Sequence, residues 1–113
     1  MYMRTLSLLA LTLPLALPVA AEVDGQQLRV FQQEFDAYNA ERPEANRYRA
    51  GFYSGYLQGM LEALQGRSVC FKACRCELDD RVAQYLRDHP AELDRPAGPW
   101  LVKLLEAAYP CPK

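Results

Sequence analysis

Four cysteines, Cys70, Cys74, Cys76 and Cys111, carry the densest chemistry in this chain of 113 residues. Thiolates in such a cluster could hold zinc, or the thiols could pair as disulfides. Other catalytic material is sparse. The single histidine, His89, stands before Pro90 with no serine, cysteine or carboxylate beside it in sequence to form a triad. A helix cap or a carbonyl contact suits it better. Asp79 and Asp80 are adjacent, so on a helix they point in diverging directions. They read as complements of a helix dipole, not as an acid/base pair. Gly51, Gly55 and Gly59 lack the Lys-Ser/Thr ending of a phosphate loop. These absences predict a protein that is not an enzyme and needs no cofactor or metal.

The N-terminus decides between zinc and disulfides. Arg4 precedes an apolar run from Leu6 to Leu17, and Pro18-Val19-Ala20-Ala21 follows. Small residues at Val19 and Ala21 fit a signal-peptidase site, predicting a leader over residues 1–21 that is removed after Ala21. The run is shorter than the roughly 20 residues that span a bilayer, so no membrane attachment is expected after cleavage. An exported chain matures in an oxidising compartment, where an even set of cysteines reads as disulfides. Residues 22–113 then form a single small helical domain. Without Arg4, 12 basic side chains face 14 acidic ones, which argues against nucleic acid as a partner.

Spacing leaves the pairing of the cysteines open. Cys74 joined to Cys76 would close a small, strained ring. The residues alone therefore prefer Cys111 with Cys74 or Cys76, and Cys70 with the other. Either bridge would tie the C-terminal end to the middle of the chain. Cys111 lies 41 residues beyond Cys70, and closing a loop between those regions is worth roughly 4 kcal/mol.

The elements that position these groups are helices. Asp24 with Gln27 resembles a capping box, and Leu28, Phe31, Phe35 and Tyr38 follow at helical spacing. Glu41-Arg42-Pro43 breaks that helix. A second runs from about Glu44 to Gln65, with Gly66 as its stop signal. Taken four residues apart, Gly51, Gly55, Gly59 and Ala63 form one stripe, and Tyr48, Phe52, Tyr56, Met60 and Leu64 the next. Each helical glycine costs about 1 kcal/mol relative to alanine. The stripe thus predicts one close helix neighbour, in the core or across a dimer seam. A cysteine connector covers Arg67 to about Cys76. The third helix carries Leu78, Val82, Tyr85 and Leu86, with Glu77, Asp79 and Asp80 in its first turn, and ends at His89-Pro90. A polar loop, Ala91 to Gly98, leads to a last helix that Pro99 opens, with Trp100, Leu101, Leu104, Leu105 and Ala108 buried. No alternating strand pattern of useful length occurs. The expected fold is all-α, four to five helices stapled by one or two disulfides.

In order, GFYSGYLQGMLEAL, the connector with Cys70, VAQYLRDHPAELDRPA and LLEAAYPC resemble the Rap/Tai immunity proteins of type VI secretion. The likeness covers about residues 48–111. Its elements here are Gly51-Phe52-Tyr53-Ser54-Gly55, Cys70, Tyr85-Leu86-Arg87-Asp88-His89-Pro90, Pro96-Ala97 and Tyr109-Pro110-Cys111. The chain departs from the pattern in having Cys74 and Cys76, a connector about two residues shorter, and Gly98-Pro99 where the last helix should begin. The resemblance implies a Cys70–Cys111 bridge, leaving Cys74 and Cys76 free, strained together or bound elsewhere.

It also implies a periplasmic inhibitor, often homodimeric, that binds cell-wall amidase effectors of the NlpC/P60-like, Cys-His class. Such inhibitors block the catalytic cleft with a loop. The first candidate here is Ala91 to Arg95, with Glu92, Leu93, Asp94 and Arg95, held between His89-Pro90 and Pro96. A pre-ordered loop loses less entropy on binding. The connector around Lys72 and Arg75 is second. A small periplasmic helical chaperone, or an envelope-assembly binding module, would present the same empty catalytic census.

Overall fold

The computed structural model describes residues 22–113, so the leader expected over residues 1–21 lies outside the described residues. The fold is all-α. Its helices are α1 Gly25–Asn39, α2 Arg47–Leu64, α3 Arg75–Asp88 and α4 Ala97–Ala108, with one 3-10 turn at Pro90–Glu92.

Local sequence explains most boundaries. Asp24 caps α1 with a capping box, its carboxylate accepting from Gln27 N–H at 2.8 Å. Glu41 takes a left-handed φ of 57° in the reversal after α1. Asn46 then caps α2 by accepting from Arg49 N–H, while its own N–H donates to Glu34 on α1 at 2.7 Å. This cap makes α2 start at Arg47, later than the expected Glu44. The α1–α2 hairpin closes on Phe31 against Phe52 and Phe35 against Tyr53. Tyr38, which the periodicity places on the buried stripe, is half-exposed at the end of α1.

The core draws one side of every helix together. Leu28, Tyr53, Leu57, Leu78, Val82, Leu101 and Leu105 are essentially sealed from water. Tyr53 is fully buried, and its hydroxyl donates to the Asp79 carbonyl at 3.0 Å. Burial, reinforced by the charge of Asp79, pushes the Tyr53 hydroxyl far above its ordinary pKa. That ring stays neutral and acts as a strut between α2 and α3.

The glycine stripe differs from expectation. Gly51, Gly55 and Gly59 are exposed, and a Cβ on any of them would meet no atom within 4 Å. The close neighbour that the stripe predicts is absent among the described residues. α2 buries the opposite side instead, through Ala50, Tyr53, Leu57 and Leu61.

Two boundaries also shift toward the N-terminus. Cys74 caps α3, so the first turn holds Arg75, Cys76 and Glu77, and Asp79 moves to the second turn. There Asp79 pairs with Arg75 at 3.3 Å. α4 begins at Ala97, two residues before Pro99. Proline is tolerated there because the first four N–H groups of a helix have no partner inside it.

Candidate functional site

The two candidate surfaces sit at opposite ends of α3. A helix of 14 residues separates them by about 20 Å. They are two sites, built by different means.

The connector at the start of α3 is held covalently and by backbone bonds. Cys70 is bridged to Cys111, and Cys74 to Cys76. This overturns the preference for Cys111 with Cys74 or Cys76. The backbone delivers Cys70 to Cys111: Cys70 N–H donates to the Tyr109 carbonyl at 2.9 Å, and Val69 forms a bridge with Pro110. Phe71 packs edge-on against Tyr109, and Arg81 lies over the same ring at 5.5 Å. Arg75 is not free for a partner. Its guanidinium donates to the Ser54 carbonyl at 2.8 Å and to Gln58 at 3.1 Å, clamping α3 to α2. Burial raises the Asp79 carboxyl above its ordinary pKa despite the opposing pull of Arg75. Only Lys72 of the predicted pair remains exposed and unclamped.

The loop after α3 is held without any covalent link. Leu93 points into the core, at 4% exposure, so this predicted contact residue is an anchor. Around it the backbone is knitted to the segment before α1. Gly25 N–H donates to the Arg95 carbonyl at 3.0 Å, Gln26 N–H to Leu93 at 2.8 Å, and Ala97 N–H to Val23 at 2.8 Å. The approach is so close that a Cβ on Gly25 would stand 2.6 Å from the Leu93 Cα. Only glycine fits there. Gly25 was missed by the sequence reading; a glycine directly after a capping aspartate, in an otherwise good helix start, was its only signal.

Glu92 is ordered by Tyr85, whose hydroxyl donates to its carboxylate. The Tyr85 ring is stacked between His89 and Trp100, with centroids 3.9 and 4.6 Å away. Burial first, and the Glu92 bond second, push the Tyr85 pKa up to about 12. His89 closes the stack with Nδ1 3.0 Å from the Tyr85 carbonyl.

A groove of about 500 Å³ runs along α4 from this loop. Trp100 and Leu104 form an apolar floor, Tyr85, Pro96 and Pro99 line the sides, and Glu92, Arg95 and Lys103 supply charge. The Trp100 indole N–H is buried without a hydrogen-bond partner. Of the four loop residues predicted, Glu92 and Arg95 border this groove, Asp94 stands exposed beside it, and Leu93 holds all of them in place. The arrangement suits recognition: charges around an apolar trough, with no metal-binding cluster among the described residues.

A family model for Rap1a immunity proteins matches residues 24–111. The chain belongs to this family. The match begins at the capping aspartate of α1 and ends at the bridged Cys111, so it takes in all four helices and both connectors of the Rap1a-type domain. No curated protein and no solved structure gives a significant match. Membership in the Rap1a family makes this an immunity protein directed against a secreted effector.

Proposed function

We propose that this immunity protein acts in the periplasm, after removal of residues 1–21, and neutralises a type VI secreted peptidoglycan amidase of the NlpC/P60-like class. It does so by inserting the Glu92–Arg95 loop into the amidase cleft. The supporting observation is the construction of that loop. Leu93 is locked in the core while Asp94 and Arg95 project from a backbone fixed to Val23–Gln26. A fixed loop enters a cleft at little entropic cost. Its exposed charges chiefly set on-rate and partner choice.

The protein works as a homodimer in this reading, joined through the glycine stripe of α2. Among the described residues nothing packs on the stripe, so this reading gives it the seam role. Its sequence supports an antiparallel pairing about Gly55, which sets Gly51 opposite Gly59 and brings Arg47 of one copy near Glu62 of the other. The opposite charges at the two ends favour this register over a parallel one.

Co-purification with amidases of this class, followed by peptidoglycan digestion with and without the protein, tests the inhibitory reading. A stable complex and suppressed digestion are expected. Undiminished cleavage and no complex across the class would refute it. For the seam, Gly55→Leu should convert a dimer to a monomer in sedimentation, and a wild-type protein that is monomeric at all concentrations rejects it.

A further inference from the structure

We infer that the Cys74–Cys76 disulfide is a thiol-exchange site, opened by an incoming thiolate while the Cys70–Cys111 bridge stays closed. This goes beyond the immunity role and does not depend on which effector is bound.

The two bridges differ in three respects. Cys74 and Cys76 are both exposed, whereas Cys70 and Cys111 are each half-buried. The first pair spans a separation of 2 residues and the second 41. Opening the short bridge unties no other element, whereas opening the long one frees the C-terminal end from the connector. Third, the Cys74–Cys76 pair lies in the first turn of α3, where Cys74 is the N-cap and its sulfur already accepts from Cys76 N–H at 3.2 Å. Helix N-termini stabilise thiolates.

That last contact gives the exchange a direction. An incoming thiolate attacks the Cys76 sulfur and forms a new S–S bond to it. The Cys74–Cys76 bond breaks, and its electron pair leaves on Cys74 as a thiolate held by the cap. One disulfide is consumed and one formed, so no outside oxidant is required. A second thiol can then resolve the mixed disulfide, releasing Cys76 and completing a two-electron reduction of the pair. Exposed disulfides with good leaving thiolates are the ones that exchange. Arg75 between the two cysteines is committed to Ser54, Gln58 and Asp79, so the helix start stays docked on α2 when the bridge opens.

The test uses the mature full chain in glutathione buffers of increasing reducing strength, with alkylation and mass mapping of each cysteine. Cys74 and Cys76 should open in less reducing buffers than those that open Cys70–Cys111, with a glutathione adduct on Cys76. A cysteine-containing decapeptide replaces glutathione in a second arm, to represent protein thiols. Adducts from both extend the site to protein thiols, and adducts from glutathione alone assign it to small thiols. The Cys74→Ser, Cys76→Ser double variant should keep the wild-type melting temperature and take up neither. Joint opening of the two bridges, prior opening of Cys70–Cys111, or no adduct at Cys76 overturns the inference.

Discussion

The connectors on either side of α3 reach rigidity by opposite routes. The first, from Gln65 to Cys74, is bolted to the C-terminal end by Cys70–Cys111, with Phe71 and Arg81 gathered on Tyr109. The second, from His89 to Pro96, has no covalent link. It depends on a glycine that lets two backbones touch and on a leucine sunk in the core. Arg75, directly after the covalent connector, is tied to α2, which leaves Lys72 as the unclamped member of the predicted pair. The hydrogen-bonded connector keeps Asp94 and Arg95 for solvent. A segment keeps its charges for recognition when backbone bonds and a buried apolar anchor hold it.

The strongest way to break this contrast is to remove the bolt. Cys70→Ser with Cys111→Ser should lower unfolding free energy by about 4 kcal/mol in denaturant melts. Hydrogen exchange at the Gln26 and Ala97 amides should change no more than this global loss requires. Preferential loss of protection there would show that the second connector leans on the first. Next in size is Gly25→Ala, expected to cost about 2 to 3 kcal/mol because backbone must move to admit the Cβ. Here the Gln26 and Ala97 amides should lose protection while the Cys70 amide keeps it. Tyr85→Phe removes the bond to Glu92 and should cost about 1 kcal/mol in thermal unfolding. Unchanged stability would mean the stack with His89 and Trp100 suffices alone.

The smallest effect concerns pH. The Asp79 carboxyl is raised in the fold, so the native state holds its proton more tightly than the unfolded chain does. Its contribution is full below the ordinary carboxylate range and is lost as pH rises through the folded value. Asp79→Asn should therefore gain stability relative to wild type on going from about pH 3 to pH 7. A relative loss over that range would give the Arg75 pair greater weight than burial.

How much of this was legible in the sequence depends on the range of the forces involved. The Asp24–Gln27 capping box, the break at Glu41 to Pro43 and the His89-Pro90 stop act over a few residues, and each was readable. The start of α4 was not, because Ala97 is fixed by a bond to Val23, more than seventy positions away. Leu93 looked like part of a polar loop because its neighbours are charged. Only the tertiary fold reveals that this lone apolar residue turns inward. The glycine stripe lies on the exposed side of α2, against the expected close neighbour, because spacing alone cannot say which side of a helix meets the core. For the cysteines, sequence separation pointed one way and the family resemblance the other; the Val69–Pro110 bridge favours the resemblance.

The bonds from Val23, Gly25 and Gln26 have a consequence for the protein's lifetime. If the leader is cut after Ala21, only Glu22 separates a new chain terminus from the carbonyl that holds Ala97. An aminopeptidase removing three residues would strip that carbonyl and the Asp24 cap together, while leaving the disulfides and most of the core intact. Such ragged-ended molecules would still fold and pass as intact on a gel, with the Ala97 end of the loop released while Gly25 and Gln26 still hold Arg95 and Leu93. The ageing of a preparation would then be read from the mass of its first residues sooner than from its melting curve.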